Sequence, residues 1–161
     1  MDLNKLTLGD RVVAISGVLL LIFAFFPWFD YDIRGFEELG SVGSQSGFDF
    51  FLFGIIPVIL GLAMIAQIAV SRFSTTDMPN VGSLRWGQIH VILGAIAAAL
   101  VVLLVIIGDE ESGFGITVDG DRQIGLFLAA LAALGLLAGG LLKMRDPADA
   151  GTPRTPPPPA A

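Results

Sequence analysis

The chain contains no cysteine, a single histidine and few charged residues. Of its 161 residues, 15% are charged, whereas a soluble domain carries about 25%. The absence of cysteine excludes a disulfide framework, a thiolate nucleophile and a Cys-type zinc site. With one histidine and no acidic pair inside the apolar segments, the groups for acid–base or nucleophilic catalysis are scarce. We therefore expect a protein that is not an enzyme, with no cofactor and no nucleic-acid partner.

Apolar residues are abundant, at 54% of the chain, and the mean hydropathy is +0.79. They form four long runs, each close to the roughly 20 residues that cross a hydrocarbon core. No Asp, Glu, Lys or Arg lies well inside a run, where a charge would cost about 2.5–3.5 kcal/mol. The runs lack the alternation of barrel strands and therefore predict helices. The predicted helices cover residues 8–27, 50–70, 86–107 and 124–142.

These runs predict an all-α membrane protein, a four-helix transmembrane bundle over residues 1–145. Thr7 and Asp10 have the spacing of a capping box before the first helix, and Ser83 is a candidate N-cap for the third. Pro27 is expected to end the first helix, and the rings of Phe26, Trp28 and Phe29 suit a membrane interface. No small-residue cleavage site follows this helix, so we expect it to be retained.

The charges predict the orientation of the bundle. Seven Lys and Arg residues fall on one side of the four runs and two, Arg34 and Arg122, on the other. Acidic residues are distributed oppositely, five against ten. The positive-inside rule places the side with seven in the cytoplasm. We therefore predict a multi-pass plasma-membrane protein whose N-terminus and C-terminus are both cytoplasmic.

The two outer loops contain short strand patterns. Phe29–Ile33 alternates apolar and acidic residues, and Phe114–Val118 followed by Asp119-Gly120 resembles a strand entering a hairpin. We expect a small extracellular β element, with a flexible Gly/Ser-rich segment at Gly40–Gly47. The ten acidic residues on this side lack the ligand spacing of a calcium loop, so we predict a solvated acidic rim and no metal site.

Few polar residues lie within the predicted helices, and all fall in their cytoplasmic halves. Helices two and three are antiparallel neighbours, so Gln67 and His90 can meet at similar depth. An interhelical hydrogen bond is the favoured interpretation, and a polar vestibule with a protonatable histidine is the alternative. The predicted intramembrane polar cluster comprises Ser16, Gln67, Gln88 and His90.

Two further patterns concern helix packing. Pro57 removes a backbone donor from the second helix and is expected to kink it. Small residues recur at four-residue spacing on helices three and four, which lets helix backbones approach closely in lipid. Packing within the bundle is favoured over a self-association face. The predicted packing face comprises Gly94, Ala98, Gly125, Ala129, Ala133, Gly135 and Gly139.

Residues 146–161 are rich in Pro, Ala and Thr and end in Thr155-Pro156-Pro157-Pro158-Pro159-Ala160-Ala161. Such a segment cannot bury a core, so we predict a disordered cytoplasmic tail with polyproline II character. The Pro153–Pro156 stretch fits a PxxP docking pattern. A solubilising tail is the favoured interpretation, because the pattern is common in any Pro-rich stretch.

Three segments resemble a group of small, uncharacterised integral membrane proteins of actinobacteria. They are the opening Met1–Thr7 with Gly9-Asp10-Arg11-Val12-Val13, the segment Phe26-Pro27-Trp28-Phe29, and Trp86-Gly87-Gln88-Ile89. The resemblance implies four spans in the plasma membrane. It implies no activity and no catalytic residue.

We weigh three functions for such a chain. The first is a structural or accessory subunit that acts through helix–helix and loop contacts, with lipid, other membrane proteins or a second copy of itself as partners. The second is a small transporter or channel component, suggested by Pro57, the His90–Gln67 pair and a weak repeat of Ser-Gly-Phe at 46–48 and 112–114. Ion-coupled transport normally needs buried charge, and none is expected within the spans. A membrane enzyme ranks third.

Overall fold

The computed structural model describes residues 6–33, 40, 43–73, 84–113 and 116–146. These residues form four helices and a small antiparallel sheet. The helices are α1 (Leu8–Phe23), α2 (Ile56–Phe73), α3 (Trp86–Ile107) and α4 (Ile124–Arg145). The strands are β1 (Pro27–Ile33), β2 (Gly43–Ser46), β3 (Asp109–Gly113) and β4 (Ile116–Arg122). The protein is thus mostly helical, and the predicted tail after Asp146 lies outside the described residues.

Three of the described helices are long and apolar enough to cross a membrane. They are α2 together with the helical turn that precedes it, Phe51–Phe73, then α3, Trp86–Ile107, and α4, Ile124–Arg145. Their mean hydropathies are 2.4, 3.0 and 2.3. A helix of 22 residues, such as α3, is about 33 Å long, which exceeds a hydrocarbon core of about 30 Å. Large apolar side chains cover the outside of the bundle: Leu131 is 68% exposed and Ile106 is 70% exposed.

Helix α1 is shorter than predicted. It has 16 residues, or about 24 Å, and ends at Phe23 instead of Pro27. The chain turns at once, with the amides of Phe25 and Phe26 donating to the carbonyls of Ile22 and Phe23. The helix ends there because Pro27 already begins β1, where an extended backbone is required. Its N-terminus has the predicted capping box: the Asp10 amide donates to Thr7 Oγ1 at 3.3 Å, and the Thr7 amide donates to Asp10 Oδ2 at 3.2 Å.

The N-terminal ends of α2 and α3 also differ from expectation. A π-helical turn, Phe51–Ile55, precedes α2. Pro57 lies directly after this turn and is buried, so the irregularity of the helix begins before the proline. The N-cap of α3 is Arg85, whose amide donates to Gln88 Oε1 at 3.0 Å. Ser83, the predicted cap, lies outside the described residues.

The helices form a ring in which each packs on its sequence neighbours and α4 also packs on α1. The most extensive interfaces are those of α4 with α3 and with α1. Helix α2 packs less extensively on α1 and α3. The bundle core therefore centres on α4, whose buried residues include Leu126, Ala129, Ala133 and Leu136.

The four strands have the order β2-β1-β4-β3, and all neighbours are antiparallel. The inner pair, β1 and β4, continues directly from α1 and leads directly into α4. The Gln123 amide donates to the Trp28 carbonyl at 2.8 Å and ties this pair to the start of α4. The inner strand of the first hairpin is its first strand, β1, whereas the inner strand of the second hairpin is its second strand, β4. The two hairpins therefore do not occupy equivalent positions in the sheet.

The sheet corrects two details of the loop predictions. Asp119 and Gly120 lie within β4, opposite Asp32 and Tyr31, and so do not form the predicted hairpin turn. Gly113 of β3 pairs with Ile116 of β4, and Phe114 lies outside the described residues. Gly43–Ser46, expected to be flexible, forms the edge strand β2 because β1 supplies a partner for its backbone.

An aromatic cluster joins the sheet to the helices. Trp28 and Phe29 are fully buried, so these rings do not face the membrane interface as expected. The Trp28 indole stacks on Phe50 with ring centroids 6.2 Å apart, and its Nε1–H donates to the Phe23 carbonyl at 2.9 Å. Gly47 packs against the indole, where a Cβ would lie 2.6 Å from a ring carbon. The cluster thereby fixes the sheet against the ends of α1 and α2.

Candidate functional site

Three charged side chains from three helices meet at the end of the bundle opposite the sheet. Lys143 Nζ lies 2.6 Å from Asp10 Oδ1, and Arg72 Nε lies 2.7 Å from Asp10 Oδ2. Asp10 is 0% exposed, Lys143 is 1% exposed and the Arg72 side chain is 18% exposed. We call Asp10, Arg72 and Lys143 the ionic triad.

Each helix delivers its charge in a favourable position. Asp10 lies in the first turn of α1, where the helix dipole stabilises an anion, and Lys143 lies in the last turn of α4, where it stabilises a cation. Arg72 lies in the last turn of α2. The capping box holds the Asp10 carboxylate, which accepts from the Thr7 amide as well as from both cations. The carboxylate is therefore fixed in position from three sides.

Close backbone approach brings Asp10 and Lys143 together. A Cβ on Gly9 would lie 2.6 Å from the Lys143 amide nitrogen, and a Cβ on Gly139 would lie 2.8 Å from the Val13 amide nitrogen. Only glycine at these two positions lets α1 and α4 pack at backbone contact. The small residues thus decide which charges can pair.

The triad corrects the expectation that charge is not buried in this bundle. The sequence interpretation assigned Asp10 to a helix cap only and Lys143 to the cytoplasmic flank. It missed that α4 continues to Arg145, which places Lys143 within the helix. The available signal was a pair of opposite charges, Asp10 next to Gly9 and Lys143 four residues after Gly139, at the same end of two apolar helices.

His90 packs against α4 next to the triad. It is 1% exposed, and a Cβ on Gly140 would lie 2.9 Å from the His90 backbone. Gly140 is one helical turn before Lys143 on α4. Neither ring nitrogen of His90 has a hydrogen-bond partner in the part of the chain that the structure describes. An unpaired buried polar group costs about 1–3 kcal/mol, so His90 is a candidate functional residue.

The structure does not assemble the predicted polar cluster. The predicted hydrogen bond between His90 and Gln67 is wrong, because neither the His90 nitrogens nor Gln67 Oε1 have a hydrogen-bond partner among the described residues. Ser16 is buried at the α1–α4 interface against Gly135. Gln88 is exposed and caps α3. The prediction grouped these polar side chains only by their depth in the membrane. The orientation of each helix about its own axis points them towards different neighbours.

The predicted small-residue face lies largely inside the bundle. A Cβ on Gly94 would lie 2.8 Å from Leu137 Cα, so α3 and α4 touch at backbone distance. Gly135 and Gly139 face α1, and Gly125 packs on the Pro27 carbonyl. Gly135 is half-buried; the other predicted members, Gly94, Ala98, Gly125, Ala129, Ala133 and Gly139, are buried.

The sheet end has a different chemistry. The Tyr31 hydroxyl donates to Asp109 Oδ2 and lies 3.1 Å from Gln45 Oε1. Arg122, predicted as one of two outer basic residues, donates to the carbonyls of Val105 and Ile106 at 2.8 and 3.3 Å and caps α3. Among the described residues there is no group of three or more His, Asp or Glu side chains that could hold a metal ion.

The fold and site define a helical bundle that has three helices of membrane-spanning length, a sheet at one end and a buried ionic triad at the other. Comparison with family models, with curated proteins and with solved structures finds no match for this chain.

Proposed function

We propose that this chain is a multi-pass plasma-membrane protein with a non-enzymatic role, acting as a structural or accessory subunit. Its contacts would be with lipid, with other membrane proteins or with a second copy of itself. Support for membrane insertion comes from three helices of spanning length and from the large apolar side chains on the outside of the bundle.

We propose α1 as the fourth span. The helix is short, but Phe25 and Phe26 follow it and are 68% and 41% exposed, which extends its apolar surface toward the sheet end. Its Asp10 carboxylate does not meet lipid because Lys143 and Arg72 enclose it. Pairing of this kind is the usual condition for an acidic group at membrane depth.

The orientation we propose places the triad end in the cytoplasm and the sheet outside. Arg11, Arg72, Arg85 and Lys143 all lie at the triad end by the direction of their helices, in agreement with the positive-inside rule. The chain lacks cysteine, so single cysteines are clean probes. Ser44→Cys in β2 should react with an impermeant maleimide in intact cells, and Arg85→Cys should react only after permeabilisation.

The packing of α4 is the observation that carries the accessory role. Glycines bring α4 to backbone contact with α1 at Gly139 and with α3 at Gly94. Contact at this distance leaves no room for water between the backbones at these two points. A rigid bundle with a sheet fixed to it by Trp28 and Phe50 is suited to hold or position another protein.

The test of the accessory role is affinity purification of the tagged, full-length chain in mild detergent, followed by mass spectrometry. We expect a reproducible partner in stoichiometric amount. A Gly94→Leu variant, which disrupts the α3–α4 contact, should lose that partner, whereas Ile96→Leu at an exposed position should retain it. Recovery of a homo-oligomer without a partner would count against an accessory role in a larger assembly.

A transporter component is the alternative, and the buried triad favours it more than the sequence did. Buried Asp and Lys residues occur in ion pathways, and His90 lies beside them with unpaired nitrogens. Reconstituted protein should then show ion or solute flux that His90→Ala abolishes at unchanged abundance. Absence of flux in the wild-type protein would overturn this alternative, whereas flux that survives both His90→Ala and Gln67→Ala would show only that these side chains do not take part in it.

A further inference from the structure

We propose that Arg72 and Lys143 of the ionic triad, together with His90, bind a phosphate group, and that in the membrane this group is the headgroup phosphate of an anionic lipid. The placement at the headgroup level rests on the proposed membrane insertion. The donor groups of the site are independent of that placement.

The first argument is a count of charge. The triad contains two cations and one carboxylate, so the group as a whole carries an excess positive charge. Lys143 is 1% exposed and Asp10 is 0% exposed, whereas the Arg72 side chain is 18% exposed, so bulk water reaches this excess charge only at Arg72. A buried charge without a counterion is strongly destabilising. An anion at this point would neutralise the group.

The second argument is a count of hydrogen-bond donors. A lysine ammonium has three N–H donors, and Lys143 uses one of them on Asp10 Oδ1. Arg72 donates through Nε, while its buried Nη2 has no partner among the described residues. A neutral imidazole has one N–H, and neither nitrogen of His90 has a partner in the described part of the chain. Arg72 on α2 and His90 on α3 therefore each have a buried nitrogen that no acceptor in the described chain satisfies, although Gln67 Oε1 and Asp146 Oδ2 are also unpaired there.

Phosphate fits this excess better than a monatomic anion does. Its several oxygens can accept from donors on separate helices, and the Arg guanidinium matches phosphate geometry. Basic pockets between transmembrane helices on the cytoplasmic side are known to bind anionic headgroups. Access would be beside α2, because Arg72 is the partly exposed member of the triad and α2 packs less extensively than α4.

The remaining described charges at this end do not satisfy these donors. Arg11, Arg85 and Arg145 are exposed and add positive charge around the site. Asp146 follows α4 and has one buried carboxylate oxygen without a partner, so it is the competing acceptor. Replacing it by Asn removes its negative charge while keeping one carbonyl acceptor, and serves as a diagnostic variant.

The experiment measures lipid retention by the purified full-length protein. Protein in phosphatidylcholine nanodiscs is compared with protein in discs that also contain phosphatidylglycerol, by thermal denaturation and by native mass spectrometry of retained lipid. We expect selective phosphatidylglycerol retention and a higher melting temperature. Arg72→Gln should reduce the apparent affinity about tenfold, the equivalent of one charged hydrogen bond. The matched control Arg145→Gln removes the same charge from an exposed position and should retain most of the affinity.

Two further measurements distinguish the outcomes. Arg72→Lys retains the charge without the planar fork and should have an intermediate affinity, and Asp146→Asn should bind at least as tightly as the wild type. Inorganic phosphate, titrated in phosphatidylcholine discs, should stabilise the protein and compete with phosphatidylglycerol. Stabilisation by phosphate with no lipid preference would overturn the lipid assignment and leave a soluble phosphate as the ligand.

Equal lipid loss in Arg72→Gln and Arg145→Gln would overturn the site, because it indicates general surface charge. So would a wild-type protein that responds to neither phosphatidylglycerol nor phosphate. Failure of the accessory proposal would appear elsewhere, in the absence of a co-purifying partner, and failure of the orientation would appear in cysteine labelling. These readouts do not depend on lipid retention.

Discussion

The two ends of this bundle are held together by different interactions. At the triad end, one carboxylate joins α1, α2 and α4 through contacts of 2.6 and 2.7 Å. At the sheet end, the stabilising contacts are spread over several features. They are the fully buried Trp28 and Phe29, the paired strands and the capped end of α3. Removing one partner of a buried ionic cluster leaves the other charges unpaired and causes a large loss of stability, whereas removing one of many packing contacts causes a small loss. The comparison therefore predicts unequal responses to substitution at the two ends.

The largest effect is expected for Asp10→Leu. The change leaves Lys143 and Arg72 without their counterion, and breaking a buried pair in this way costs about 3–5 kcal/mol. Unfolding of the purified protein by SDS, followed by circular dichroism, measures the loss. The control is Asp121→Asn, which removes an acidic group from an exposed position of the sheet. It should alter the free energy of unfolding by less than about 0.5 kcal/mol.

Removing both charges of the closest pair sharpens this prediction. Asp10→Leu combined with Lys143→Met should recover much of the stability lost in Asp10→Leu, since apolar replacements of buried ion pairs are often neutral or stabilising. Additive loss in the double variant would show that Asp10 acts through its capping box instead of the ion pair.

A smaller effect is expected for Gly94→Ala on the α3–α4 interface. A Cβ there would meet Leu137 Cα at 2.8 Å, and backbone cannot yield as a side chain can, so we expect about 1–3 kcal/mol of destabilisation. Gly61→Ala on α2 is the matched control. Its nearest contact is the end of the Leu136 side chain at 3.2 Å, which can rotate away. Equal losses in SDS unfolding would contradict the central role assigned to α4.

Trp28→Phe tests the sheet end. The variant loses the indole donor to the Phe23 carbonyl and part of the packing on Gly47, with an expected cost of about 1–2 kcal/mol. The chain has two tryptophans. The second, Trp86, is half-buried, and Trp86→Phe is the control. Fluorescence also checks burial: with Trp86→Phe, the remaining Trp28 should resist quenching by aqueous iodide.

The smallest effect is expected for His90→Leu in detergent without anionic lipid. Burying an unpaired imidazole is costly, so an apolar replacement should be neutral or stabilising by about 1 kcal/mol. The same SDS unfolding assay measures it. A loss of several kcal/mol would show that the imidazole has a partner, and would contradict the donor count at the triad.

Sequence reasoning located the apolar helices, the capping box at Thr7 and Asp10, and a strand pattern at Phe29–Ile33. These features depend on neighbours within a few residues, so hydropathy and spacing suffice to identify them. The same reasoning placed the end of α1 at Pro27 and a turn at Asp119-Gly120. Both errors occurred where a strand paired with a distant segment, since a β1–β4 ladder joins residues that no local pattern relates.

The sequence by itself determined that this chain has long apolar helices, and that basic and acidic residues are distributed oppositely among the segments between them. The tertiary structure decided that Asp10 pairs with Lys143 and Arg72, which are 133 and 62 residues away, and that His90 and Gln67 do not bond. The physical reason is that helix rotation and offset select the partner of a side chain. In this bundle those two quantities are set by glycines on facing helices, Gly9 with Gly139 and Gly94 with Gly140, through contacts that form only when the helices pack.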